Sequence, residues 1–99
     1  MSAYVILASK PGHFRTEAGP DLQPVEAYDY LFSGRKRAHY MIARIDHPTR
    51  VRIIDESGTD SVNLVPTKFL PTFATLDAAR AELRQLASFG SMDIELVKL

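Results

Sequence analysis

Only one stretch of this chain, Thr75 to Ala87, repeats apolar residues at helical spacing. Leu76, Ala79, Leu83, Leu86 and Ala87 form one stripe, and Arg80, Glu82 and Arg84 lie off it. The Thr75 hydroxyl is placed to cap the first free N–H groups, and Asp77 suits the positive end of the helix dipole. Gly90 is a natural residue just past the C-terminal end. Proline, glycine and polar turns cut everything else into short segments. One amphipathic helix among short extended segments has few ways to bury its stripe, and the simplest is to lie on a sheet.

The extended segments can be read in turn. Ala3 to Ala8 is a short apolar strand stopped by Lys10-Pro11-Gly12. Residues 10–24 hold three prolines and two glycines and read as a long loop, of the kind that carries function. Ala27 to Phe32 and Ala38 to Ile45 form a hairpin around Ser33-Gly34-Arg35-Lys36. In Thr49 to Ile54, Val51 and Ile53 alternate with Arg50 and Arg52, the pattern of a strand with one wet face. Asp55 to Asp60 is a polar turn, Ser61 to Val65 a strand ended by Pro66, and Ile94 to Leu99 a final strand. The expected fold is α+β: a mainly antiparallel sheet of about five to six strands, with one helix from the C-terminal half packed on one face. The alternative is a small curled barrel with the helix appended.

Ninety-nine residues with 45% apolar content make a single globular domain, 1–99. There is no cysteine, which removes disulfides, thiolate metal sites and cysteine nucleophiles and fits a reducing cytoplasm. No apolar run approaches the roughly 20 residues that span a bilayer, and no signal-peptide pattern is visible, so no membrane partner is expected.

Charge is neutral overall but unevenly placed. Residues 1–54 carry eight Lys/Arg against five Asp/Glu, net +3, and residues 55–99 carry four against seven, net −3. Six of the twelve basic residues lie between Arg35 and Arg52, with Asp46 as the one acid among them. Arg35, Lys36 and Arg37 at the hairpin turn, with Arg50 and Arg52 on a wet strand face, make a candidate docking surface. The neutral balance argues against nucleic acid as the partner. Tyr28, Tyr30 and Phe32 share one side of their strand; exposed they would stack bases, buried they are core. In the segment from Pro66 to Phe73, Phe69, Leu70 and Phe73 are expected to plug the core at the helix start.

No catalytic motif is present: no G-x-S-x-G elbow, no phosphate-cradling glycine loop, no H-E-x-x-H. His13, His39 and His47 have no metal-ligand spacing, so neither metal nor cofactor is expected. His13 and Arg15 in the proline-rich loop are the candidate small-molecule site.

Ala27-Tyr28-Asp29-Tyr30 resembles the ALYDY motif of SH3 domains, and Leu64-Val65-Pro66-Thr67-Lys68-Phe69-Leu70 is similar to their proline-containing terminal segment. That resemblance implies a curled barrel and a polyproline groove built from Tyr28, Tyr30, Pro66 and Phe69. The chain departs from the family in having no tryptophan and in carrying a basic, not acidic, turn after the motif.

These readings converge on a non-catalytic accessory module working through protein–protein contacts, its partner unidentified. A homodimer through an exposed strand edge, at Asp93–Leu99 or Arg50–Ile54, is a further expectation. The alternatives are single-stranded nucleic-acid binding by the hairpin, and small-molecule binding under the 10–24 loop.

Overall fold

The computed structural model describes residues 2–58, 61–87 and 94–99, among which the chain forms eight strands and one α-helix. In chain order these are β1 (Ala3–Ser9), β2 (Phe14–Glu17), β3 (Leu22–Phe32), β4 (Arg35–Ile45), β5 (Arg50–Asp55), β6 (Val62–Pro66), β7 (Thr72–Phe73), α1 (Leu76–Ala87) and β8 (Ile94–Lys98). A 3-10 turn, Thr67–Phe69, separates β6 from β7. A five-stranded antiparallel sheet runs β7-β1-β4-β3-β8, and a three-stranded antiparallel sheet runs β2-β5-β6.

The fold is thus α+β, with the larger sheet as the middle of three layers. The period-2 alternation of β1 and β4 explains why. Val5, Leu7, Ala43 and Ile45 point one way and pack with Val51 of the small sheet. Tyr4, Ile6 and Ile42 point the other way and pack with Ala79 and Leu83 of α1. A strand buried on both faces shows little polar alternation, which is why Tyr4 to Ala8 reads as a continuous apolar run. The helix begins as expected: the Ala78 N–H donates to Thr75 Oγ1 at 3.1 Å. Of its stripe, Ala79 and Leu83 are sealed, but Leu86 is exposed. Gly90 and Asp93 lie outside the described residues.

The barrel alternative is overturned, because the two sheets remain separate and neither closes. β3, which carries the Tyr28-Asp29-Tyr30 segment, is an inner strand of the large sheet, and Pro66 ends an edge strand of the small one. The polyproline groove implied by the resemblance therefore has its halves on different sheets.

Residues 10–24 are not one loop. Phe14 to Glu17 form β2, paired with β5 in the register Phe14↔Asp55 to Glu17↔Arg52. Leu22 to Pro24 open β3. The reading failed because Pro24 is tolerated inside a strand: it stands beside a β-bulge, where the ladder is already interrupted. Likewise Arg50–Ile54 is not an edge; β5 is the central strand of the small sheet, whereas β8 does lie at an edge of the large one. In the segment before the helix, Leu70 packs with the inter-sheet core and Phe73 with the helix-side core. Phe69 does not plug anything: it is 70% exposed, with Lys68 Nζ 5.2 Å from its ring centre.

Candidate functional site

The β3–β4 turn is tighter than its four polar residues suggest. Ser33 (φ 51°) and Gly34 (φ 77°) both adopt left-handed backbone, the requirement of a two-residue type I′ hairpin. Arg35 and Lys36 then already pair with Phe32 and Leu31. Between Lys36↔Leu31 and Ala38↔Tyr30 the register shifts, leaving Arg37 as an extra residue on β4.

That shift decides where the basic side chains go. Without it Lys36 and His39, three apart, would face opposite sides. With it both reach Asp29, whose backbone is paired to His39. His39 Nδ1 donates to Asp29 Oδ1 at 3.0 Å, and Lys36 Nζ sits 3.2 Å from the same oxygen. The His39 hydrogen bond, then Lys36, holds the Asp29 carboxyl below its ordinary range against the opposing effect of burial. Arg35 and Arg37 are exposed and have no ion-pair partner among the described residues.

The same face of β4 borders a cavity of about 380 Å³ on the side of the sheet away from the helix. Pro11, Phe14 and Met41 give it an apolar lining, Ser9 and Thr16 contribute hydroxyls, and Lys36, His39, Arg15 and Glu56 bring charge and hydrogen-bonding groups. The β1–β2 connection shapes one wall. It folds back through paired backbone hydrogen bonds between Lys10 and Phe14, with Gly12 supplying a positive φ of 81°. Thr16 locks it further: its N–H donates to Ser9 Oγ at 2.9 Å, and its hydroxyl donates to the Ala8 carbonyl. Arg15 stands between Glu17 (3.7 Å) and Glu56 (3.6 Å), distances of charge attraction without a hydrogen bond. His13 is exposed in the turn, and its carbonyl accepts the Glu56 N–H.

The remaining candidates lie elsewhere. Arg50 and Arg52 are on the outer face of the small sheet, so the hairpin trio and this pair occupy different layers. Arg52 lies 4.0 Å from Glu17 and opposite exposed Leu64. Tyr28 and Tyr30 are half-buried: Tyr28 packs with the helix-side core, and the Tyr30 and Tyr40 rings meet edge-to-face at 6.2 Å. Phe32, at the tip, is exposed. His47 approaches Asp21 at 3.9 Å, both in solvent.

A second cluster, invisible to sequence reading, centres on Glu26, whose side chain is 5% exposed. Arg80 binds it with both Nε (2.7 Å) and Nη2 (2.8 Å), Lys98 Nζ lies at 2.8 Å, and the Tyr28 hydroxyl donates to it at 3.0 Å. Arg80, then Lys98, draws the Glu26 pKa from its ordinary 4.5 down to about 2, against the cost of burial. Burial, then the Glu26 hydrogen bond, raises that of Tyr28. The cluster ties α1 and β8 to β3.

Comparison with known proteins finds no matching family model, no similar curated protein and no similar solved structure. No helix among the described residues is long and apolar enough to cross a membrane.

Proposed function

We propose that this chain is a small binding module that docks an acidic segment of a protein partner on the β3–β4 hairpin tip. One observation carries the reading: Arg35 and Arg37 are exposed, without ion-pair partners among the described residues, on a hairpin preset by its type I′ turn. Most other cations here answer a carboxylate nearby, as Arg80 does Glu26. Two cations held close by a rigid backbone meet an acidic chain at little ordering cost, and they favour encounter rate and partner choice. Arg50 and Arg52, on the outer face of the other sheet, stand apart from this tip.

The reading is tested with a fluorescent oligoglutamate peptide and an oligoglutamine control. The glutamate peptide is expected to bind at low salt and to weaken about tenfold with Arg35→Glu/Arg37→Glu. Equal binding of both peptides, or no effect of the double substitution, disposes of the proposal.

A further inference from the structure

The edge strand of a sheet presents unpaired backbone, and proteins blunt such edges with charge or by keeping them short. Three of the four sheet edges among the described residues follow that rule. β2 carries Arg15 and Glu17, β8 carries Glu95 and Lys98, and β7 is only two residues long. β6, Val62-Asn63-Leu64-Val65-Pro66, has no charged residue. Its middle is bare on both faces. Val62 is 47% and Leu64 55% exposed on the outer side, and Asn63 is exposed on the other.

The pairing with β5 shows which backbone groups remain open. At the two ends of that ladder the Thr67 N–H donates to the Thr49 carbonyl and the Asp55 N–H to the Ser61 carbonyl, both at 2.8 Å. The register between them is uninterrupted, so Asn63 and Val65 also turn their N–H and C=O groups toward β5. Val62 and Leu64 therefore turn theirs to the open side, where no strand lies among the described residues. The same two residues offer a donor, an acceptor and an exposed apolar side chain. Pro66, next in that row, offers only a carbonyl.

Such an edge is complementary to itself. With two copies of β6 antiparallel and a two-fold axis at Asn63, each Val62 faces the partner's Leu64, and the two exchange both hydrogen bonds of a closed pair. Centring on Leu64 instead sets Pro66 against the partner's Val62, whose carbonyl then has no donor. In the Asn63 register, Leu64, which stands beside Arg52, continues into the partner's Val62 and then the partner's Ile54, so neither Arg52 meets its counterpart. We propose that β6 pairs in this way with β6 of a second copy of this chain, joining the two three-stranded sheets into one continuous antiparallel sheet. One short strand pair buries less than the roughly 1,200 Å² of a standard stable interface, so the dimer exchanges readily. The β3–β4 tip belongs to the other sheet, so this contact and the docking of an acidic segment are independent.

Sedimentation velocity of the full chain tests the pairing. The chain is expected to be mainly monomeric at about 10 μM and mainly dimeric at about 1 mM, with a dissociation constant of about 100 μM. Leu64→Glu, at an exposed position opposite Arg52, keeps the fold and should weaken the dimer at least about tenfold. A second measurement does not depend on that variant. The chain has no cysteine, so Asn63→Cys places a single thiol at the two-fold axis. Facing residues of a non-hydrogen-bonded pair lie about 4.5 Å apart, Cα to Cα, within the roughly 4.4–6.8 Å that a disulfide spans. Under mild oxidation Asn63→Cys should cross-link about tenfold faster than Glu95→Cys on the β8 edge. A monomer at about 1 mM, a dimer indifferent to Leu64→Glu, or cross-linking of Glu95→Cys as fast as Asn63→Cys overturns the proposal.

Discussion

Two acid-centred clusters hang from the same strand, three residues apart and on opposite faces. Glu26 looks toward the helix, nearly sealed, and is gripped by Arg80, Lys98 and Tyr28 at 2.7–3.0 Å. Asp29 looks the other way, at the mouth of a cavity, with His39 and Lys36 both on one oxygen. Similar chemistry serves different ends because the surroundings differ. A charge taken out of water must be fully matched, so Glu26 locks its partners into one geometry and is a brace. Asp29, 22% exposed against 5% for Glu26, stays within reach of water, so its group can exchange partners where the Glu26 group cannot.

Glu26→Ala is the sharpest test of this contrast. It removes the acceptor shared by Arg80, Lys98 and Tyr28 at the seam between helix and sheet and is expected to cost about 1–3 kcal/mol in urea unfolding. Glu26→Leu combined with Arg80→Met should recover most of that loss, because a matched apolar pair replaces a matched ionic one. Acid comes next. Glu26 titrates lower folded than unfolded, so its stabilisation is complete above pH 4.5 and disappears as pH falls toward 2. Asp29 acts in the same direction. Unfolding measured from pH 6 to pH 2 should show a loss of about 1–3 kcal/mol that Glu26→Gln largely removes. Asp29→Asn, by contrast, should cost less than about 1 kcal/mol while altering the ¹⁵N shifts of the His39 ring through its changed partner. If it costs as much as Glu26→Ala, the distinction between brace and exchangeable site collapses. The smallest effect is expected from Arg35→Glu/Arg37→Glu, within about 0.5 kcal/mol in stability, since neither side chain has a charged partner to lose among the described residues.

The legible parts of this fold follow from local rules. Thr75 and the Leu76-Ala79-Leu83 spacing announce the helix, and the alternation of Val51 and Ile53 with Arg50 and Arg52 announces a strand with one wet face. What stayed hidden depends on register. No local pattern tells that Arg37 is bulged, yet that bulge is what unites Lys36, His39 and Asp29. Glu26 and Arg80 are 54 positions apart, and the sequence offers no hint that they meet. The candidate site suffered the same way: the basic run was visible as composition, but its division between two sheets was not. β2 was missed for another reason. Four alternating residues between Gly12 and Gly19 carry little signal beside three prolines, and only pairing with β5 makes them a strand.

The bulge at Val25 acts as a change of reading frame. Before it, Leu22 and Pro24 share the face of Ile45 and Ala43; after it, Glu26 and Tyr28 share the face of Ile42 and Tyr40. Even-numbered residues thus address one layer on one side of Val25 and the other layer beyond it. The side chain itself is exposed and replaceable. Its presence as a unit of chain length is not: deleting Val25 would turn either Leu22 out of the inter-sheet core or Glu26 away from Arg80. At this position the fold reads count before chemistry, so residues that seem free to vary in kind are not free to vary in number.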